Sequence, residues 1–403
     1  MDPSQASAPG GGVRLIAVRA AGRAAVAMID EVWRGGDAAL PLDPALADGT
    51  AVRVAAGLGA HAVWEPAHRR VLDAGVTVPG GTALVVRTSG TTGAPRGVVI
   101  SHAALEAGVA ASVDRLGADA ARWLGVLPVH HVAGLLVVLR ARAAGTTPAL
   151  HGHFDVDAVA AETAVTHVAL VPTMLHRLLE RGVDVARFDR ILLGGAAAPA
   201  GLLARAGEAG ARVTVSYGMT ETCGGCVYDG VPLDGVAVAV DPDRHVLLRG
   251  AVLADGYRLG HRLLPLRDAA GWFHSDDVGH FDDGRLVVTG RSDDVVVSGG
   301  VNVATTEVAA VLRAHPRVAE AAVIGIADAE WGQRVVAYVV AADATAPPAA
   351  DDLRAHVRAV ASPAMVPRDV RVVTALPRTA LGKVDRGVLR RMAGEAAGAA
   401  ARD

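Results

Sequence analysis

The sequence predicts an α/β protein in two parts. A large N-terminal domain over residues 1–292 combines mostly parallel sheets and helices with a small barrel-like part, and a small α+β domain occupies 293–403. Three observations carry this expectation. Short Val/Leu/Ile runs alternate with Ala-rich stretches of helical spacing, the pattern of a parallel sheet covered by helices. From about Val236 the chain turns to short strands and tight turns. A third texture begins near Asp293, where helices and longer strands alternate again.

The elements follow in order. Apolar runs at 83–87, 167–171, 190–193 and 212–215, each bounded by Gly, Pro, Ser or Thr, read as buried strands. Residues 101–116 and 173–181 have apolar residues at helical spacing, with Ser101 placed as an N-cap. A strand is expected at 246–249, and another at 286–289 after the Asp282-Asp283-Gly284 turn. Beyond Asp293, residues 306–314 and 351–360 read as helices, and 318–326, 335–341 and 370–373 as strands. No solenoid repeat is visible.

Composition narrows the class. A chain of 403 residues has room for two or three domains and a sizeable core. Charged residues are 20% and the formal net charge is −3, which argues against a disordered tail protein and gives no basic footprint for nucleic acid. Two cysteines cannot frame a secreted disulfide fold. The first dozen residues are polar and Gly-rich, without the charged-then-apolar order of a signal peptide, and read as a frayed end. The most apolar stretch, 132–139, stops at Arg140, far short of the roughly 20 residues of a bilayer span. It reads as core. The expectation is a soluble cytoplasmic enzyme with no membrane span.

The most informative segment follows the strand at 83–87. Thr88, Ser89, Gly90, Thr91, Thr92 and Gly93 lead through Ala94 and Pro95 to Arg96 and Gly97. Glycines allow close approach of backbone to ligand, hydroxyls and amide N–H groups can wrap phosphate oxygens, and Arg96 adds a fixed positive charge. A strand-loop-helix setting is expected, with the helix N-terminus aimed at the loop. The spacing is neither that of a Walker A loop nor of a dinucleotide Gly-x-Gly-x-x-Gly. The competing reading is a solvent-exposed turn.

This loop resembles the signature of the adenylate-forming superfamily of acyl-CoA synthetases, luciferases and peptide-synthetase adenylation domains. That family usually carries Lys where this chain has Arg96. The resemblance implies ATP and a carboxylate as substrates, an acyl-adenylate intermediate and transfer to a thiol. Later motifs occur in the expected order. Ser216, Tyr217, Gly218, Met219, Thr220 and Glu221 resemble the second hallmark, in which Tyr217 stacks on adenine, Thr220 touches the α-phosphate and Glu221 holds Mg²⁺. Gly194, Gly195 and Ala196 are similar to the adenine-side loop. Asp277 matches the ribose-binding aspartate and Arg291 a second ribose contact, with Asp276 and Ser275 standing where the family usually has Gly and Thr. Asp293 matches the hinge between the adenylation domain and a mobile C-terminal domain. Ser298, Gly299 and Gly300 resemble the segment along which the pantetheine arm of CoA enters. Leu376 to Asp385 resembles the last hallmark, which makes Lys383 the catalytic lysine. Its implied role is electrostatic, orienting the carboxylate and offsetting charge as oxygen attacks the α-phosphorus.

Two further motifs are expectations of the same kind. Pro128 to Gly134 resembles the family's Pro-x-x-His-x-x-Gly motif, with His131 beside the acyl pocket or, alternatively, a satisfied core histidine. Cys223 and Cys226 have redox or metal spacing, but with no second pair they read as pocket lining or packing. The run from Gly218 to Gly230 and the short segment before the phosphate loop look most like the 2-succinylbenzoate–CoA ligase branch, which serves menaquinone biosynthesis. The implied substrate has two carboxylates, so cationic or hydroxyl groups are expected beyond the ATP site. A medium-chain or aryl acyl-CoA synthetase is the enzymatic alternative, and a non-catalytic nucleotide-binding protein the alternative of another class. The expected partners are small molecules: the carboxylate, ATP, Mg²⁺ and CoA. A homodimer is admitted as the assembly.

Overall fold

The computed structural model describes residues 11–73, 75–88, 96–292, 295–298, 301–328, 331–379 and 384–400. They fall into two compact units. One comprises the chain up to Ala239 with Leu247–His274, the other Val240–Val246 with Ser275 onward. The expected hinge residue Asp293 lies outside the described residues. Among those residues no helix is long and apolar enough to cross a membrane.

The first unit holds two sheets. In the eight-stranded one, Leu15–Arg19, Ala38–Leu42, Ala62–Trp64 and Thr82–Thr88 form a parallel centre. Their near-continuous apolar sequences suit strands covered on both faces. Leu15, Ala17, Leu40 and Val85 are fully buried in one core cluster. The seven-stranded sheet runs parallel through Trp123–Gly125, His167–Leu170, Arg190–Leu193 and Val213–Met219, then continues antiparallel into Gly224–Tyr228 and the edge strand Val231–Pro232. Leu124, Val168, Ile191 and Phe188 anchor its core. The expected α/β class, and strands at the expected places, are therefore present.

One expectation is overturned. No helix follows the phosphate loop directly. Thr82–Thr88 pairs antiparallel with Arg96–Ser101, with Thr88 opposite Arg96, so the loop residues connect two strands of a hairpin. The physical reason is the β-branched run Val98, Val99 and Ile100, each fully buried in the sheet. The helix His102–Leu116 begins only after that strand. Its cap is as expected: the Ser101 Oγ accepts from the Ala104 amide at 3.4 Å. Gly117, at φ +56°, ends the helix in the left-handed region.

The apolar stretch at 132–139 is the first two turns of the helix Val132–Ala143, with Leu135, Leu136, Val137 and Val138 buried. Arg140, which ends the apolar run in sequence, is itself only 3% exposed.

In the second unit, Asp277–Asp282, the end of the strand Phe273–Asp282, forms an antiparallel hairpin with Arg285–Arg291. Asp283 and Gly284 turn it with positive φ values of 46° and 72°. A further sheet pairs Val318–Asp328 with Gly332–Ala341 antiparallel, and Gly332–Ala341 with Asp369–Val372 in parallel. Helices Thr305–Arg313 and Ala350–Val360 bury Val308, Leu312, Leu353 and Val357 against it. This is the α+β texture that the sequence implies after Asp293.

Candidate active site

The second hallmark begins inside a strand and ends in a tight turn. Val213–Met219 carries Ser216 and Tyr217, and Thr220–Thr222 forms one turn of 3₁₀ helix. The Thr222 Oγ1 locks that turn, accepting from the Met219 amide at 2.9 Å and donating to the Gly224 carbonyl at 2.6 Å. Backbone closeness explains the glycines here. A Cβ on Gly218 would lie 2.0 Å from the Gly224 carbonyl oxygen, and one on Gly225 2.0 Å from the Ser216 Oγ. The neighbouring strand Arg190–Leu193 delivers Gly194, whose absent Cβ would sit 3.2 Å from the Ser216 carbonyl. Gly195 follows with φ +81°. The fold thus brings the Gly194–Ala196 loop beside the Ser216–Glu221 segment.

Glu221 is held between two partners. The Tyr257 hydroxyl donates to its Oε1 at 3.1 Å, and the Arg96 Nη2 lies 3.5 Å from the same oxygen. The Arg96 guanidinium also sits over the Tyr257 ring, 3.5 Å from its centroid. Thr88 and Arg96 face each other across the hairpin. Ser89, Gly90, Thr91, Thr92 and Gly93 lie outside the described residues.

Among the described residues no three His, Cys, Asp or Glu side chains group as a metal cage. Glu221 is one carboxylate, 12% exposed. A lone hard-oxygen donor fits Mg²⁺, which keeps waters and shares substrate phosphates; it does not fit a structural metal.

The second unit carries its own pair. Asp277 and Arg291 stand opposite each other in the hairpin register. The Arg291 Nη1 lies 3.5 Å from the Asp277 Oδ1, while its Nη2 donates to the Asp276 Oδ2 at 2.8 Å. Ser275 orients the strand: its Oγ accepts from the Asp277 amide at 3.2 Å and donates to the Val246 carbonyl at 2.7 Å. Asp277 is 13% exposed and Asp276 71%, so the first is the sheltered carboxylate and the second a solvated one. Ser298 is buried at the end of the strand Val295–Ser298. Gly299, Gly300 and Lys383 lie outside the described residues; Arg378 and Val384, on either side of Lys383 in sequence, form an antiparallel bridge.

His131 is the N-cap residue of the helix Val132–Ala143 and its ring packs 4.3 Å from that of His130. Burial pushes the His130 pKa below the ordinary imidazole value, with Asp43 opposing weakly. Gly134 is required by contact. A Cβ there would fall 2.2 Å from the Pro128 carbonyl oxygen.

In the third turn of the same helix, Arg140 makes a buried polar cluster. Its Nε donates to the Ser112 Oγ at 2.7 Å, and its Nη2 to the Tyr228 hydroxyl at 3.4 Å. Ser112 and Tyr228 bond each other at 2.7 Å. Among the described residues no carboxylate pairs with Arg140, and its Nη1 makes no hydrogen bond to them. A buried guanidinium with no acid beside it is unusual; this one also lies over the Trp123 ring, 5.6 Å from its centroid.

The AMP-binding enzyme family profile matches residues 33–248, and the profile of the AMP-binding enzyme C-terminal domain matches 307–383. The chain belongs to the AMP-binding enzyme family. A protein of Mycobacterium tuberculosis named probable 2-succinylbenzoate–CoA ligase is 42% identical over 340 residues, spanning 81% of this chain and 88% of the relative. The 2-succinylbenzoate–CoA ligase of Bacillus licheniformis is 34% identical over 337 residues, spanning 75% and 69%. The solved o-succinylbenzoate CoA synthetase (MenE) of Bacillus subtilis, in complex with the acyl-adenylate intermediate OSB-AMP, matches with a TM-score of 0.82 and 28% identity over 94% of this chain and 88% of that one. ATP-bound MatB from Rhodopseudomonas palustris matches with a TM-score of 0.82 and 25% identity, over 95% and 89%.

In this AMP-binding enzyme, sequence reasoning missed Arg140 and Tyr257. Arg140 carries a signal in hindsight, since it stands four residues after Leu136 and so continues a buried helix face. Tyr257 carries none, because its partner Glu221 is 36 positions away. The cysteines resolve as packing. Both are free and buried, and burial pushes the Cys226 thiol up to about 12 and the Cys223 thiol well above the ordinary range.

Proposed function

We propose that this AMP-binding enzyme is an AMP-forming acid–thiol ligase that adenylates 2-succinylbenzoate with ATP and transfers the acyl group to CoA, in menaquinone biosynthesis. In the first step a substrate carboxylate oxygen attacks the α-phosphorus and pyrophosphate leaves. In the second the CoA thiol displaces AMP from the acyl-adenylate. Tyr217 stacks on adenine, Thr220 contacts the α-phosphate, and Asp277 with Arg291 holds the ribose. Thr88 to Gly93 and Arg96 wrap the β- and γ-phosphates, and Gly194 to Ala196 border the adenine. Glu221 holds Mg²⁺, which supplies charge neutralisation at the phosphates. Lys383 orients the carboxylate, and His131 lines the acyl pocket. Rotation of the C-terminal part about Asp293 then withdraws Lys383 and opens the path along Ser298 to Gly300 for pantetheine.

The observation that carries the substrate assignment is the buried, acid-free Arg140 with Ser112 and Tyr228. A substrate with two carboxylates needs one for adenylation and a cation-hydroxyl set for the other; this cluster supplies that set. The relatives named above support the same acid. The reading includes a cytoplasmic location and, as an assembly to be measured by light scattering, a homodimer. The experiment is pyrophosphate release from ATP and 2-succinylbenzoate without CoA. Lys383→Ala is expected to abolish it while ATP binding stays nearly intact, and unchanged turnover in that variant contradicts the mechanism.

A further inference from the structure

Arg96, Tyr257 and Glu221 form a charged cluster that the motifs do not describe. The register explains how they meet. Tyr257 stands opposite Val98 in the antiparallel pair of Gly256–Leu259 with Arg96–Ser101, so Arg96 is its diagonal neighbour on the same face. The Glu221 carbonyl accepts from the Ala254 amide at 2.9 Å, which ties the 3₁₀ turn to the chain just before this strand. One aromatic side chain therefore contacts both charges: its ring carries the Arg96 guanidinium at 3.5 Å and its hydroxyl donates to the Glu221 Oε1 at 3.1 Å.

We propose that Tyr257 is a positioning residue of the adenylation site, acting through Arg96 and Glu221. The proposal rests on the reading above, in which Glu221 holds Mg²⁺ and Arg96 faces the phosphates. The hydroxyl occupies Oε1 and so presents Oε2 to a cation. The ring fixes where the guanidinium rests, which matters more for Arg than for the usual Lys, because a planar fork stacks on an aromatic face and an ammonium does so less. The Arg96 Nε is buried with no hydrogen-bond partner among the described residues, and among them stacking on Tyr257 and the longer approach to Glu221 orient the group.

The two functions of Tyr257 separate by substitution. Tyr257→Phe keeps the ring and removes the hydroxyl, whereas Tyr257→Leu removes both. ATP binding to the full chain is measured by calorimetry across a MgCl₂ series without carboxylate, alongside kcat and KM and the thermal midpoint. Tyr257→Phe is expected to raise the Mg²⁺ needed for half-maximal ATP affinity three- to tenfold while affinity at saturating Mg²⁺ stays within twofold. Tyr257→Leu adds a three- to tenfold loss of affinity at saturating Mg²⁺, and in an Arg96→Lys background that added loss shrinks. A Tyr257→Phe titration that superimposes on the wild type overturns the proposal, as does an equal loss for Phe and Leu at every Mg²⁺ concentration. Glu221→Gln keeps the two levels distinct. If it binds ATP with unchanged Mg²⁺ dependence, the underlying reading of Glu221 fails; if it alone loses that dependence, only the role of Tyr257 fails.

Discussion

Replacing Arg140 tests the substrate assignment at its physical root. The guanidinium is 3% exposed, donates to Ser112 and Tyr228, and faces no acid among the described residues. If its remaining donors hold the second carboxylate of the substrate, Arg140→Met removes one partner of a buried charged pair. Such removals cost about 2–5 kcal/mol, which is roughly 30- to 4,000-fold in kcat/KM at 1.4 kcal/mol per tenfold. Arg140→Lys keeps the charge and loses the fork, a loss of about 1.5–3 kcal/mol for a charged hydrogen bond. Stability moves little, since Ser112 and Tyr228 still satisfy each other at 2.7 Å and a lone buried cation is replaced by an apolar chain of similar length. The assay is steady-state AMP release with 2-succinylbenzoate and ATP varied separately, beside a thermal melt. The KM for the carboxylate is expected to rise steeply and that for ATP to hold. An unchanged carboxylate KM refutes the assignment. So does a collapse of the melting temperature that lowers every parameter together.

Three other outcomes follow from the geometry. Asp277→Asn, at a carboxylate 13% exposed and opposite Arg291, should weaken ATP binding by roughly 10- to 150-fold for about 1.5–3 kcal/mol of lost charged hydrogen bonding; calorimetric affinity within twofold of the wild type contradicts the ribose role. Gly134→Ala puts a Cβ 2.2 Å from a backbone carbonyl that cannot swing away, and should cost about 1–3 kcal/mol in a chemical melt. Because burial raises both thiol pKa values, Cys223 and Cys226 stay protonated at pH 8, and a chromogenic disulfide reagent should react with neither until guanidinium unfolds the chain. Fast labelling of the folded protein at pH 8 contradicts their packing role.

Much of the architecture was legible because local rules and burial agree. The strand Arg190–Leu193 lies where its apolar run and flanking residues place it, and Ser101 caps its helix through the expected hydroxyl. The hairpin beyond the phosphate loop was not read correctly, although Val98, Val99 and Ile100 have the β-branched character of a buried strand. At the site, Asp277 and Arg291 follow from motif order, and register then sets them face to face. Arg140 and Tyr257 depend on tertiary pairing. A charge inside an apolar helix, or a tyrosine in an ordinary strand, has no meaning until Ser112, Tyr228, Arg96 and Glu221 arrive from other elements.

The central claim is one acid, two half-reactions and AMP as the leaving nucleotide. Its most direct test is to incubate the full chain with ATP, Mg²⁺, CoA and a panel of carboxylates, and to quantify nucleotide and thioester products by mass spectrometry. The account predicts 2-succinylbenzoyl-CoA, AMP and pyrophosphate in equal amounts, with 2-succinylbenzoate giving the highest kcat/KM of the panel. Formation of ADP, or AMP release with another carboxylate and none with 2-succinylbenzoate, would contradict it.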